Sequence, residues 1–127
     1  MKPLTLLASA LLITLNLSTT RAEETNSAPT TISALVATNY FGKQVIVTGI
    51  VAQVSSRASL TFLNFEKKYP DSPFAVIIRN KNTNDFDNLA GLKGKAVAVE
   101  GKIKDYNGRA EMELTQKSQL KLLSAEQ

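Results

Sequence analysis

An eight-residue pattern, Gly42-Lys43-Gln44-Val45-Ile46-Val47-Thr48-Gly49, returns 52 positions later (94 minus 42) as Gly94-Lys95-Ala96-Val97-Ala98-Val99-Glu100-Gly101. Each copy is a turn glycine and a lysine, then two valines on one face of an extended strand, then a glycine inside that strand. Glycine weakens a strand interior unless it marks a bulge, a sharp bend or a close backbone approach. Two strongly bent strands, with short strands between and after them, predict a small barrel rather than a flat sheet.

The start of the chain reads differently. Lys2, an apolar run from Leu4 to Leu17, and Thr20-Arg21-Ala22 have the order of a secretory signal peptide. The run falls short of the ~20 predominantly apolar residues of a membrane span, and no cysteine follows it to carry a lipid. The expectation is therefore a signal peptide over residues 1–22, export to the periplasm or beyond, and no membrane insertion after cleavage. Residues 23–30 are a polar flexible leader, 31–123 a single domain and 124–127 a tail. The 105 residues that remain (127 minus 22) suffice for one small core but not two. With no cysteine anywhere, packing alone must hold that core.

Strand signals follow the first glycine. Gln44 to Ser55 alternates Val45, Val47 and Val51, and Leu60 to Phe65 and Phe74 to Arg79 are two further short apolar runs bounded by turn residues. Lys95 to Tyr106 is a fourth strand. Asn107-Gly108 favours positive φ at both positions, the signature of a type I′ hairpin, so Arg109 to Thr115 is expected to return beside it as a fifth. Ahead of the strands, Thr30 or Thr31 reads as the cap of a short helix with Ile32, Leu35 and Val36 on its apolar stripe. Asn80 to Asn84 reads as a polar turn, and Asp85 to Leu92 as a second short helix between strands three and four. This order is that of an all-β OB-fold, a five-stranded Greek-key barrel with a helix between strands three and four.

At Phe62-Leu63-Asn64-Phe65-Glu66-Lys67-Lys68-Tyr69-Pro70, followed by Phe74 and Ile77-Ile78, the chain resembles exported bacterial OB-fold domains of the nucleic-acid-binding, tRNA-anticodon-binding-like type. The likeness runs from about Gly42 to Leu122. It implies single-stranded DNA or RNA as partner and carries no catalytic role.

Enzymatic readings fare poorly on composition. Histidine and cysteine are absent, which removes the commonest general base, Ser-His-Asp and Cys-His catalysis and the usual zinc sites. Asp85 and Asp87 sit among asparagines but lack the glycine and terminal glutamate of a calcium loop, so helix capping is the preferred use. Glu111 and Glu113 read as a solvated face paired with Lys102 and Lys104 across the hairpin. No cofactor and no metal are expected.

Net charge is a weak guide. Without Lys2 and Arg21 the basic residues fall from 15 to 13, against 11 acidic ones. Placement says more, because single-strand binding needs cations for phosphates and flat rings for bases. Arg57 falls in the loop between strands one and two, and Tyr106 and Arg109 at the loop between four and five, the two loops that flank an OB ligand face. Phe62, Asn64, Phe65, Lys67, Lys68, Tyr69 and Arg79 lie on or beside the strands between them. The three phenylalanines also suit a barrel core, Lys67 and Lys68 a solvated loop, and Asn64 either a bulge or a ligand contact. Two functions follow: binding of single-stranded nucleic acid or a similar extended polymer, or an envelope module that holds a peptide, a protein subunit or a glycan.

Overall fold

The computed structural model describes residues 28–123; the expected signal peptide, most of the expected leader and the expected tail lie outside them. The described chain is mostly β-sheet with a few short helical turns. Its strands are β1 (Thr30–Ser33), β2 (Gln44–Arg57), β3 (Leu60–Phe65), β4 (Phe74–Arg79), β5 (Ala96–Lys102), β6 (Lys104–Tyr106), β7 (Arg109–Leu114) and β8 (Leu120–Leu122). They hydrogen-bond in the order β6-β7-β4-β3-β2-β5-β8, with β1 beside β2. This is an eight-stranded sheet with an open path, not clearly the five-stranded closed barrel expected. Two short strands, β1 and β8, add to β2 and β5. The expected fourth strand breaks at Ile103, whose side chain is fully buried and whose N–H and C=O bond to Lys43 O and Gly42 N.

The repeated pattern acquires a geometric meaning here. β2 and β5 run antiparallel with Val45 opposite Gly101, Val47 opposite Val99 and Gly49 opposite Val97, so each inner glycine faces the first valine of the other copy. The leading glycines match as well. Tyr40–Lys43 and Leu92–Lys95 are both type II turns: Phe41 and Lys93 have φ/ψ of −54/134° and −56/128°, and Gly42 and Gly94 follow at φ 81° and 84°. Gly42 donates to Ile103 O and Gly94 to Val51 O, each at 2.7 Å. The two copies are thus related by a local two-fold, each turn gripping the strand that carries the other.

Inside the strands the glycines answer to crowding. A Cβ at Gly49 would lie 2.6 Å from Glu66 Oε2 and 3.0 Å from both Ala34 Cβ and the Phe65 ring; one at Gly101 would lie 3.0 Å from Met112 Cγ. Past Gly49, β2 bulges between Val51 and Gln53. Glu66, at φ 70°, closes the bend by donating its N–H to Ile50 O and accepting from Ile50 N–H through Oε2. The inward valines of β2 and β5 meet Leu63, Phe65, Phe74, Val76, Ile78, Met112 and Leu114 in one core.

The helical expectations are corrected. Thr30–Ser33 is extended and pairs in parallel with β2, and only then does a 3-10 segment, Ala34–Tyr40, begin with the Ser33 side chain accepting from Leu35 N–H. Its buried residues are Ala34 and Ala37, while Leu35 and Val36 are exposed, because the tight 3-10 turn presents i and i+3 rather than the α-helical stripe. Between β4 and β5 there is no single helix. Asn80–Thr83 makes one α-turn (α1), and Leu89–Leu92 a 3-10 turn capped by Asn88. Asp87 does not cap it; its carboxylate pairs with Lys117 at 3.1 Å.

Candidate ligand-binding cleft

Residues at alternate positions of a strand share a face, and register extends that face across strands. Asn64 on β3 sits opposite Gln53 on β2 and Ala75 on β4, and Ala75 sits opposite Glu111 on β7, itself opposite Lys104 on β6. The next row is Ser55, Phe62, Ile77 and Glu113, and the one after it Arg57, Leu60 and Arg79. The short methyl of Ala75 stands between longer side chains in the first row. That face carries a cleft of about 420 Å³ lined by Gln53, Ser55, Arg57, Phe62, Asn64, Tyr69, Tyr106, Asn107, Arg109 and Glu111.

Two loops raise its walls. The segment after β3 is pinned by one acceptor: Gln53 Oε1 takes the Asn64 Nδ2–H at 2.9 Å and the Tyr69 N–H at 3.0 Å. Asn64 Oδ1 in turn accepts from Ser72 Oγ at 3.3 Å. Tyr69 is thereby fixed at the rim. On the other side Asn107 and Gly108, at φ 54° and 87°, form the tight turn that presents Tyr106 and Arg109, with Gly108 N–H bonded to Asp105 Oδ1 at 2.7 Å. Tyr69 and Tyr106 remain 61% and 60% exposed. The Arg109 guanidinium lies 4.8 Å from the centre of the Tyr69 ring, and its buried Nε has no hydrogen-bond partner among the described residues.

The floor holds a carboxylate. Glu111 is buried, and desolvation pushes its carboxyl above the ordinary value of 4.5, against the opposing pull of Arg109 and Lys104. This departs from the solvated face expected for Glu111 and Glu113. Of the two, only Glu113 is ion-paired among the described residues, to Arg79 at 2.8 Å and Lys104 at 3.7 Å, while Lys102 lies on β5 opposite Gln44. Beside the cleft a second hollow of about 330 Å³ includes Arg79, Lys104, Ile77 and Glu113, and shares Phe62, Tyr106 and Glu111 with the first.

Six of the ten residues singled out in the sequence therefore line the first cleft: Arg57, Phe62, Asn64, Tyr69, Tyr106 and Arg109. Arg79 lines the second. Phe65 does neither: it alternates inward with Leu63, is fully buried, and packs edge-on against Phe74 with centroids 5.1 Å apart. Lys67 and Lys68 are exposed outside both hollows. Asn64 ties the bulged β2 to the segment after β3 and also lines the cleft. Gln53 and Ser55 were not foreseen, although their alternation with Arg57 marks one polar face of β2.

No family model and no curated protein matches the sequence. Solved structures do resemble the chain. OBody AM1L10 bound to hen egg-white lysozyme matches with a TM-score of 0.51 at 17% identity, over 80% of this chain and 100% of that one. OBody AM3L15, also bound to hen egg-white lysozyme, matches at 0.53 and 15%, over 78% and 98%. A putative aspartyl-tRNA synthetase from Leishmania major Friedlin matches at 0.50 and 11% identity, over 87% of this chain and 24% of that one. The likeness is to the OB-fold. At such identities it speaks for architecture alone, and the chemistry of the cleft must be argued from its own side chains.

Proposed function

We propose that this chain is an exported, non-enzymatic OB-fold protein that binds single-stranded nucleic acid in the Tyr69–Tyr106 cleft. The observation that carries this reading is the pairing of two largely exposed tyrosine rings with Arg57 and Arg109 around one hollow on a rigid sheet. Stacking on such rings contributes ~1–3 kcal/mol per base and tolerates any sequence. Export rests on the signal-like first 22 residues. For the barrel itself, a single residue, Ile103, separates β5 from β6, so one nearly continuous strand pairs with β2 at one end and with β7 at the other. That is how the fourth strand of an OB barrel closes the sheet.

Fluorescence anisotropy with labelled oligothymidylates across a salt series tests the proposal. Binding at low salt is expected, with the affinity falling as salt rises because phosphate contacts release counterions. Tyr69→Ala or Tyr106→Ala weakens binding about tenfold with the slope retained, whereas Arg57→Ala lowers the slope by about 1. Absence of binding at low salt refutes the reading. The second reading is a peptide, protein-subunit or glycan partner on the same face, favoured by one observation: without the first 22 residues the chain has 13 basic against 11 acidic residues, a weak charge for a polyanion binder. A stable envelope protein co-purifying with the exported chain, together with no oligonucleotide affinity, decides for it.

A further inference from the structure

The second hollow differs from the first in how its cations are held. In the first, Arg109 lies over a tyrosine ring and makes no ion pair among the described residues. In the second, Arg79 Nε and Lys104 Nζ converge on the two oxygens of one carboxylate, Glu113 Oε2 at 2.8 Å and Oε1 at 3.7 Å. These three side chains come from three strands, β4, β6 and β7. Arg79 and Lys104 are 51% and 60% exposed, so a ligand reaches them without rearranging the core, while Glu113 at 22% is held against the sheet. A guanidinium N–H and an ammonium aimed at one anionic group are cations that serve phosphate as well as carboxylate.

Apolar surface and two further carboxylates surround this charged cluster. Leu60, Phe62 and Ile77 line the hollow together with Asp105 and Glu111, and Phe62, Tyr106 and Glu111 belong to both hollows. A ring standing between two hollows is placed to stack on one unit of a chain while bounding the next.

We propose that the second hollow is a subsite for the adjoining nucleotide of the same bound strand, in which Glu113 occupies the place of a phosphate until the ligand's phosphate takes over Arg79 and Lys104. This rests on the nucleic-acid reading of the first cleft and adds to it a direction of travel, from Tyr69 across Tyr106 towards Arg79. Glu113 then acts as an internal competitor. It keeps two exposed cations paired in the free protein and moderates the affinity for polyanions.

The consequence is an opposition of signs that structural damage does not produce. With anisotropy read on the full chain and oligothymidylates of increasing length, Arg79→Ala and Lys104→Ala should each lower the salt slope by about 1. They should weaken the longer oligomers and leave the shortest bound length unaffected. Glu113→Gln should do the reverse: affinity rises several-fold and the slope steepens, because two cations are released to phosphate. Thermal midpoints of the three variants, measured alongside, separate loss of binding from loss of fold. If wild type binds oligomers but Glu113→Gln weakens them, or Arg79→Ala leaves the slope unchanged, the subsite is refuted while the first cleft stands. If wild type binds no oligomer of any length, both readings fall together.

Discussion

At the Gly49 corner one added carbon would sit 3.0 Å from both Ala34 and the Phe65 ring, whereas Tyr69 and Tyr106, on the face reached through the other end of β2, keep 61% and 60% of their surface in solvent. One strand thus joins a region with no spare volume to a region built of rings that pack on little. The contrast separates two kinds of sequence constraint. Around the glycines the requirement is steric and concerns folding; around the tyrosines it is chemical and concerns what binds. A change in the corner should be read by stability, and a change in the cleft by affinity at unchanged stability.

Gly49→Val tests the first half of that contrast and carries the largest expected effect. Overpacking a close-packed site costs ~1–3 kcal/mol, and here the backbone-proximal Ala34 methyl and the Phe65 ring leave little room to yield, so a loss of about 3 kcal/mol is expected in urea unfolding. Gly101→Val faces the same register position from the other copy, but its nearest neighbours are the Cγ and Sδ of Met112. Methionine is unbranched and adapts. The loss there should be smaller, about 1 to 2 kcal/mol. Equal losses at the two glycines would show that the local two-fold extends to the packing and not only to the backbone.

Asn64 is where the two regions communicate, and it sharpens the contrast by blurring it. Asn64→Ala deletes the bonds to Gln53 Oε1 and from Ser72 Oγ, both in the network that also holds the Tyr69 backbone. Leaving buried Ser72 without its partner costs on the order of 1 kcal/mol. Binding should weaken with it, since Gln53, whose Oε1 holds the Tyr69 N–H, loses the Asn64 bond that fixes it. A variant that loses stability and keeps full oligonucleotide affinity would show that the rim is positioned by something other than this network.

Local chemistry made much of this legible. β3 and β4 fall on the residues read from alternation and flanking turns, and the Asn107-Gly108 hairpin follows from two positions that favour positive φ. What escaped depends on distant partners. The Ile32, Leu35, Val36 spacing suits a helix in isolation, yet Thr30–Ser33 gains more by pairing with β2, fifteen positions on. β8 is three residues long and exists through β5. The site divides in the same way. Arg57, Tyr69, Tyr106 and Arg109 were found because cations and rings beside turns stand out, while the role of Asn64 required Gln53, eleven residues away. Glu111 looked like a solvated strand residue because nothing in its neighbourhood along the chain foretells that the sheet will bury it.

Glu111 gives the smallest effect and the one whose sign is most diagnostic, because it lies in the cleft yet should be read by stability. Desolvation raises its folded-state carboxyl above 4.5, more than Arg109 and Lys104 lower it. Well below pH 4.5 the carboxyl is protonated in both folded and unfolded chains and has no effect on the balance. As pH rises past that value the unfolded chain releases its proton first, so stability falls until the folded carboxyl also ionises, and it stays lower above that point. Glu111→Gln should abolish this fall: thermal midpoints of variant and wild type converge at acid pH, and the variant unfolds at the higher temperature near neutrality. A wild type that instead keeps the higher midpoint near neutrality would mean that the two cations outweigh burial, and that the cleft floor is wetter than its packing indicates.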